Sequence, residues 1–317
     1  MPRLFALGSS RAYGERIAAQ LGIALNDHEE HEFEDGERKA RPSAEMRGRD
    51  VFVVDALYGE PKQSVHDKLC ALFFFAAALK DAGAACVTAV VPYLCYTRQD
   101  RKVEPEDPVT TRYVAQLLEA SGIDRVITID VHNPAAFANA FRRPTESLAA
   151  SPLFAQHFAT RLAGADVAVV SPDIGGLKRA ETLATALARL MDRKVPAIAI
   201  RKHRVDHVLD DDTDVEEVGG RSAIIVDDVI GTGSTVRRAA RACRRGGAAK
   251  VFVAATHGLF VGAARAVVAD PAVDRFVLTD TVPPFRVDAE LARRKIEVLD
   301  SVPLVADAIR RWLIHAR

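Results

Sequence analysis

The chain alternates short, mainly apolar runs with longer stretches in which Ala, Leu and Val recur at helical spacing opposite charged positions. Apolar runs of strand length fall at residues 4–7, 51–54, 87–91, 126–129, 167–170, 197–200, 224–226, 251–255 and 276–278. Because these runs are continuous rather than alternating, they predict strands of a sheet covered on both faces. Helical spacing predicts helices over 11–21, 65–82, 110–120, 178–190 and 234–245, with Phe73, Phe74 and Phe75 as a core run and 305–315 as a terminal helix. Strand and helix in turn are the rhythm of parallel α/β sheets.

The order of blocks repeats. Leu4-Phe-Ala-Leu-Gly-Ser-Ser-Arg-Ala heads one helix as Ala168-Val-Val-Ser-Pro-Asp-Ile-Gly-Gly-Leu-Lys-Arg-Ala heads another, and Asp50-Val-Phe-Val-Val-Asp55 parallels Ser222-Ala-Ile-Ile-Val-Asp227. Each is followed by a helix, an apolar strand and a strand ending in Asp (Asp130, Asp280). We read two copies of one unit, joined near Arg142-Arg143-Pro144. A length of 317 residues allows two domains of roughly 150 each.

Composition narrows the function classes. Lys and Arg number 43, as do Asp and Glu, so the chain lacks the global basic field of a non-specific nucleic-acid binder, and any anion must be bound locally. The basic helical face Arg237, Arg238, Arg241, Arg244 and Arg245 accordingly reads as solvated or subunit-facing. Cys70, Cys86, Cys95 and Cys243 show no metal-binding spacing and are expected to be buried free thiols. The start, Met-Pro-Arg-Leu-Phe-Ala-Leu-Gly, is unlike a signal peptide, and no apolar run approaches the ~20 residues of a membrane span. A cytoplasmic, reduced protein is expected.

The glycine-rich stretch Asp227-Asp228-Val-Ile-Gly231-Thr232-Gly233-Ser234-Thr235 stands between a predicted strand and a predicted helix. Two glycines permit positive φ, three hydroxyls add donors, and the helix start supplies a positive dipole end, so phosphate is the natural guest. A Walker A loop would need a Lys before its last Ser or Thr, and a dinucleotide fingerprint a third glycine where Val236 stands. The adjacent acids would repel bare polyphosphate but could accept from vicinal sugar hydroxyls or hold Mg²⁺, which points to a sugar phosphate.

This segment resembles the loop shared by type I phosphoribosyltransferases and phosphoribosyl-pyrophosphate synthetases, which binds the 5-phosphate of ribose while the two acids meet the ribose hydroxyls. The usual pattern is Asp-Asp-x-x-Asp/Ser-Thr-Gly-Gly-Thr; Gly231 and Ser234 depart from it. Other segments resemble the synthetases in particular. Phe33-Glu-Asp35-Gly-Glu37 is similar to their Phe-Ser-Asp-Gly-Glu, which helps bind ATP from a neighbouring subunit, although Asp-Gly is also a hairpin turn. Pro92-Tyr-Leu-Cys-Tyr96-Thr-Arg98-Gln99-Asp100-Arg101 looks like the segment whose arginine and glutamine line the ATP site. Asp130-Val-His132, read as one strand face because i and i+2 point together, is similar to an Asp-Leu-His whose histidine meets Mg²⁺ and ATP phosphates. Ser171-Pro-Asp173-Ile-Gly175-Gly176 places Asp173 as a Mg²⁺ or ribose contact. Lys202-His203-Arg204 resembles the Lys-Arg-Arg at the base of a catalytic loop, with His203 in place of the middle arginine.

The resemblance, in family order over residues 3 to 315, implies an α/β protein of two duplicated type I phosphoribosyltransferase-like domains, each a mostly parallel sheet flanked by helices. It implies residues 1–143 as an ATP-binding domain with 303–317 packing back on it, and 144–302 as the domain of ribose 5-phosphate and the catalytic loop. The implied reaction is ATP-dependent diphosphoryl transfer to ribose 5-phosphate. In it Lys202 and Arg204 are catalytic; Phe33, Asp35, Glu37, Arg98, Gln99, Asp100 and His132 bind ATP; Asp227, Asp228, Gly231, Thr232, Gly233, Ser234 and Thr235 bind the sugar phosphate; His132 and Asp173 hold Mg²⁺. A homo-oligomer, dimer or hexamer, with a shared ATP site is implied, with no nucleic-acid or membrane partner. A type I phosphoribosyltransferase and a non-catalytic synthetase-like subunit are the alternatives. Lys102-Val-Glu104-Pro105-Glu106-Asp107-Pro108, acidic where phosphate-activated members are basic, implies weak or absent activation by inorganic phosphate.

Overall fold

The apolar runs form the inner strands of two parallel sheets, seen in a computed structural model that describes residues 2–200, 204–205, 208–209 and 215–315. In the first half β1 (Arg3–Ala6) leads to α1 (Arg11–Leu21), followed by β2 (His28–Glu32), β3 (Arg38–Pro42), β4 (Asp50–Val54), α2 (Val65–Asp81), β5 (Cys86–Val91), α3 (Thr110–Ala120), β6 (Arg125–Ile129), α4 (Pro134–Ala140) and β7 (Thr145–Leu148). Strands β1-β4-β5-β6-β7 lie side by side in that order, all pairs parallel. Their inner residues pack with Leu69, Leu72, Phe75, Ala76 and Leu79 of α2 and with Val114, Ala115 and Leu118 of α3. α2 starts where a reciprocal cap closes it: Ser64 Oγ accepts from the Asp67 N–H and Asp67 accepts from the Ser64 N–H.

The second half runs α5 (Ser151–Arg161), β8 (Val167–Ser171), α6 (Leu177–Met191), β9 (Ala197–Ala199), β10 (Arg204–Val205), β11 (Val208–Leu209), β12 (Ser222–Ile230), α7 (Ser234–Arg245), β13 (Lys250–Gly258), α8 (Ala264–Val268), β14 (Arg275–Thr279), α9 (Ala289–Lys295) and β15 (Ile296–Leu299). Its sheet, again parallel, has the order β15-β14-β13-β12-β8-β9. α10 (Val302–His315) closes the chain. Contacts divide the molecule into two compact units, Met1–Leu148 with Val302–Arg317, and Ala149–Ser301. The division falls beyond the expected joint at 142–144, because Thr145–Leu148 is the edge strand paired with β6.

Several expectations are corrected. Of the phenylalanine run Phe75 is core and Phe73 packs partly buried against it, but Phe74 is 63% exposed, since three consecutive residues cannot share one helix face. Cys95 and Cys243 are buried, and burial pushes both thiols up to about 12, but Cys86 is half-buried and Cys70 exposed on α2. The arginine face remains solvated at Arg241, 56% exposed, and also pairs within the unit: Arg241 with Asp270 at 2.8 Å and Arg244 with Asp274 at 2.5 Å.

Outside the expected elements lies a hairpin of β2 and β3, almost wholly polar. Its registered partners Glu29 and Arg41 are joined by two hydrogen bonds of 2.7 and 2.8 Å, and Glu32 meets Arg38 at 2.5 Å. Cross-strand charge pairs of this exposed kind are screened by water and contribute little to stability. Ring contacts of His28 with Phe5 and Phe75 seat the base of the hairpin on the core.

Candidate active site

In the second unit the sheet order reverses at β8: the chain passes to β9 on one side and builds β12, β13, β14 and β15 on the other. Crevices at the carboxyl ends of strands beside such a reversal are where open α/β sheets take ligands. Here β12 outruns its neighbour. Its pairing with β8 stops at Ile225, whereas its pairing with β13 continues to Ile230. Asp227 and Asp228 therefore belong to the strand, not to the loop after it as the sequence suggested, and they stand beyond the end of β8.

The acids share one cation. Arg179, in the first turn of α6, sends Nη1 to Asp227 Oδ1 at 3.3 Å and Nη2 to Asp228 Oδ1 at 3.0 Å. Asp227 Oδ1 also accepts from the Asp228 N–H at 2.9 Å. Asp228 is buried and Asp227 partly so. Burial and the adjacent Asp228 push the Asp227 carboxyl up to about 7, against the opposing pull of Arg179.

After Ile230 the chain turns into α7. Gly233 caps the helix at φ 75°, a left-handed conformation, and a Cβ there would stand 2.9 Å from Val267 Cγ1, so glycine is required twice over. Gly231 does not share the positive φ expected of it. Its carbonyl accepts from the Val261 N–H at 3.1 Å, which fixes the loop to the β13–α8 connection. Among the described residues no side chain caps α7, so its first N–H groups face outward with the hydroxyls of Thr232 and Ser234 beside them, 3.4 Å apart. The Asp173 loop lies at the end of β8. There Asp173 Oδ1 accepts from the Gly176 N–H at 3.1 Å, and a Cβ on Gly176 would stand 2.6 Å from Ser171 Oγ. Lys202 lies outside the described residues; Arg204 opens the small antiparallel pair β10–β11.

In the first unit the expected nucleotide residues fall on two places. Phe33, Asp35 and Glu37 form the tip of the β2–β3 hairpin, where the Phe33 N–H donates to Glu37 O and Asp35 Oδ1 accepts from the Glu37 N–H. Phe33 is 45% exposed, its edge against His31. Arg98 and Gln99 are exposed on the segment after β5, held through Thr111 of α3, whose hydroxyl donates to Tyr96 O at 2.8 Å. Asp100 accepts from Asn133 Nδ2 at 2.8 Å, which brings this segment to the one carrying His132. Among the described residues no hydrogen bond or ring contact joins the hairpin tip to Arg98 or Gln99.

The shared face expected of Asp130 and His132 does not form. β6 ends at Ile129 and Asp130 takes φ 39°, so the alternation of an extended strand stops before it. Nor, among the described residues, do three or more His, Cys, Asp or Glu side chains cluster as a metal cage.

Strand-end carboxylates thus recur in both units with different fates. Asp55, the counterpart of Asp227 in the repeat, is fully buried with its carboxyl pushed up to about 7 by burial. Lys68 of α2, 2% exposed, closes over that position: its Nζ donates to Ser9 Oγ at 2.9 Å and Ala56 O at 3.2 Å, meets Glu60 at 3.5 Å and lies 3.9 Å over the Tyr58 ring. In the second unit Asp227 stays partly exposed beside a buried Asp228.

A parallel α/β unit with an acid pair at a switch point, a left-handed glycine and a helix start without a side-chain cap puts the candidate ligand site at the carboxyl end of β12. Residues 2–122 match the family described as the N-terminal domain of ribose phosphate pyrophosphokinase, and residues 191–317 the phosphoribosyl synthetase-associated domain. Ribose-phosphate pyrophosphokinase 1 of Streptococcus pneumoniae serotype 4 is 35% identical over 320 residues, covering 99% of this chain and 94% of its own. The ribose-phosphate pyrophosphokinase of Caldanaerobacter subterraneus subsp. tengcongensis is 36% identical over 312 residues, covering 98% and 94%. The crystal structure of phosphoribosylpyrophosphate synthetase from Mycobacterium smegmatis superposes with a TM-score of 0.87 at 30% identity and covers 99% of each chain. The chain belongs to the ribose-phosphate pyrophosphokinase family.

Proposed function

We propose that the protein transfers the β,γ-diphosphoryl group of ATP to the C1 hydroxyl of ribose 5-phosphate, giving 5-phosphoribose 1-diphosphate and AMP. The observation that carries this reading is the Asp227–Asp228 pair beyond the end of β8, followed directly by the α7 helix start. The acids would accept the ribose 2- and 3-hydroxyls, while the N–H groups and hydroxyls of Gly231, Thr232, Gly233, Ser234 and Thr235 would hold the 5-phosphate. Phe33, Asp35, Glu37, Arg98 and Gln99 would hold the nucleotide. Asp100, engaged with Asn133, would keep Arg98 and His132 on neighbouring segments.

In-line attack of the anomeric oxygen on the β-phosphorus needs alignment and charge neutralisation more than covalent help. Lys202 and Arg204 would supply the cations for the transferring group. Asp173 and His132 would each offer a contact to Mg²⁺ or to the phosphates around it. Asp173 fits the role, because Mg²⁺ binds through one or two carboxylates plus substrate phosphates rather than a protein-only cage. When bound, Mg²⁺ neutralises phosphate charge. Phe33, exposed at the hairpin tip, supports an ATP site shared between copies of the chain in a homo-oligomer.

Incubation with ATP, Mg²⁺ and ribose 5-phosphate should release AMP and a sugar diphosphate in equal amounts; release of ADP instead would sink the reading. The charge on Asp227 sets a pH dependence. Below about pH 7 its carboxyl keeps its proton, and above it the ionised form is the stronger acceptor, so KM for ribose 5-phosphate should fall as pH rises through about 7. The phosphate ester titrates nearby, so Asp227→Asn is the control: its KM profile should lack the step that wild type shows.

Activation by inorganic phosphate should be weak or absent. The turn that could receive it is already satisfied by its own anion: Asp107 Oδ2 accepts from the N–H groups of Val103 and Glu104, and Lys102 Nζ donates to Pro105 O. A steady-state rate that depends steeply on added phosphate would refute this.

A further inference from the structure

Arg179 is the described cation that ties the two sugar-facing acids together, and nothing in the reaction as set out above uses it. Its two terminal nitrogens are divided between two carboxylates, Nη1 to Asp227 and Nη2 to Asp228. Those acids sit on consecutive residues of one strand, so their side chains would otherwise diverge to opposite faces. A planar guanidinium can reach both at once, where an ammonium is a single point charge. The acids therefore do not wait in free rotation for a sugar. Their rotamers are set beforehand by a residue of α6, three positions after Gly176 in the same β8–α6 turn that carries Asp173.

The first unit gives the contrast. There Asp55 and Lys68 are both 2% exposed, whereas the Arg179 side chain is 25% exposed and Asp227 22% exposed beside a buried Asp228, so the second arrangement orders the pair and leaves Asp227 open to solvent.

We infer that Arg179 is a positioning residue for ribose recognition: it holds Asp227 and Asp228 in the geometry that accepts vicinal hydroxyls, and thereby makes the enzyme select ribose 5-phosphate over its 2-deoxy analogue. The inference rests on the sugar-phosphate reading of this loop. Preorganised acceptors reward a substrate that brings both hydroxyls; acceptors that must first be ordered do so less.

The test is steady-state kinetics of wild type, Arg179→Gln and Arg179→Lys with ribose 5-phosphate and 2-deoxyribose 5-phosphate, alongside circular dichroism to confirm folding. Arg179→Gln should raise KM for ribose 5-phosphate about tenfold or more, the scale of a lost charge-assisted pair, and leave KM for ATP within about twofold by the same arithmetic. The preference for ribose over deoxyribose should fall with it. Arg179→Lys should lie between, restoring charge but not the fork. If wild type converts ribose 5-phosphate while Arg179→Gln keeps its sugar KM and its preference, the inference is overturned. It is equally overturned if the variant loses kcat alone with preference unchanged, the mark of a merely structural role. A wild-type protein that makes no sugar diphosphate would instead overturn the functional reading beneath it.

Discussion

Replacing Lys202 by alanine is expected to lower turnover on the order of 10³-fold or more, the range of a lost cation at a transferring phosphoryl group. The expectation comes from the sequence: Lys202 lies outside the described residues, two positions before Arg204 in the stretch between β9 and β10. KM for either substrate should change far less than kcat, because charge develops on the transferring group in the transition state. Near-normal AMP release by the variant would remove Lys202 from the chemistry.

The second large effect is on stability. Lys68→Ala should destabilise the first unit by about 3–5 kcal/mol, the usual cost of removing one partner from a buried charged group. Four contacts are lost at once, and Asp55 is left in a fully buried position without its nearest cation. The sign of the pH dependence follows from the raised carboxyl. A group held above its unfolded value contributes stability below that value and loses it as pH rises through the folded one. In wild type that loss runs from the ordinary 3.8 up to about pH 7 and Lys68 moderates it; without Lys68 the acid ionises unaided and the loss continues to higher pH, so the deficit should be larger at about pH 8 than at about pH 5.5. Trp312, the single tryptophan, reports the first unit: its Nε1 donates to Glu146 at 2.6 Å and Arg125 lies over its ring. Denaturant unfolding followed by its fluorescence measures the effect, and an unchanged midpoint would contradict it.

The inner strands were legible because both sheets are covered on two faces and their residues read as nearly unbroken apolar runs, whereas the edge strands β7 and β15, which carry Glu146 and Glu297, were not read. β2 and β3 were not, since a hairpin of Glu and Arg laid on the outside of the core has no apolar alternation to read. Its signal was of another kind, the complementary placement of Glu29 and Glu32 against Arg38 and Arg41 around Asp-Gly. The acid pair was found by its company of glycines and hydroxyls. That it continues β12 was hidden, because strand length there depends on how far β13 extends, not on local propensity. Asp130 misled for a related reason: alternation holds only while the strand lasts, and a residue at φ 39° has left it. Arg179 drew no notice as one charged residue in an amphipathic helix; only the fold brings it to acids 48 positions away. A repeat comparison could have pointed there, since in both units a strand-end acid has a cation from a flanking helix.

The central claim is that the whole diphosphoryl group leaves ATP in one piece for the sugar. ATP labelled at the β-phosphorus, incubated with the protein, Mg²⁺ and ribose 5-phosphate, tests it most directly. The label should move into the sugar diphosphate while AMP remains unlabelled. Label retained in ADP, with the sugar receiving only the γ-phosphoryl group, would contradict it.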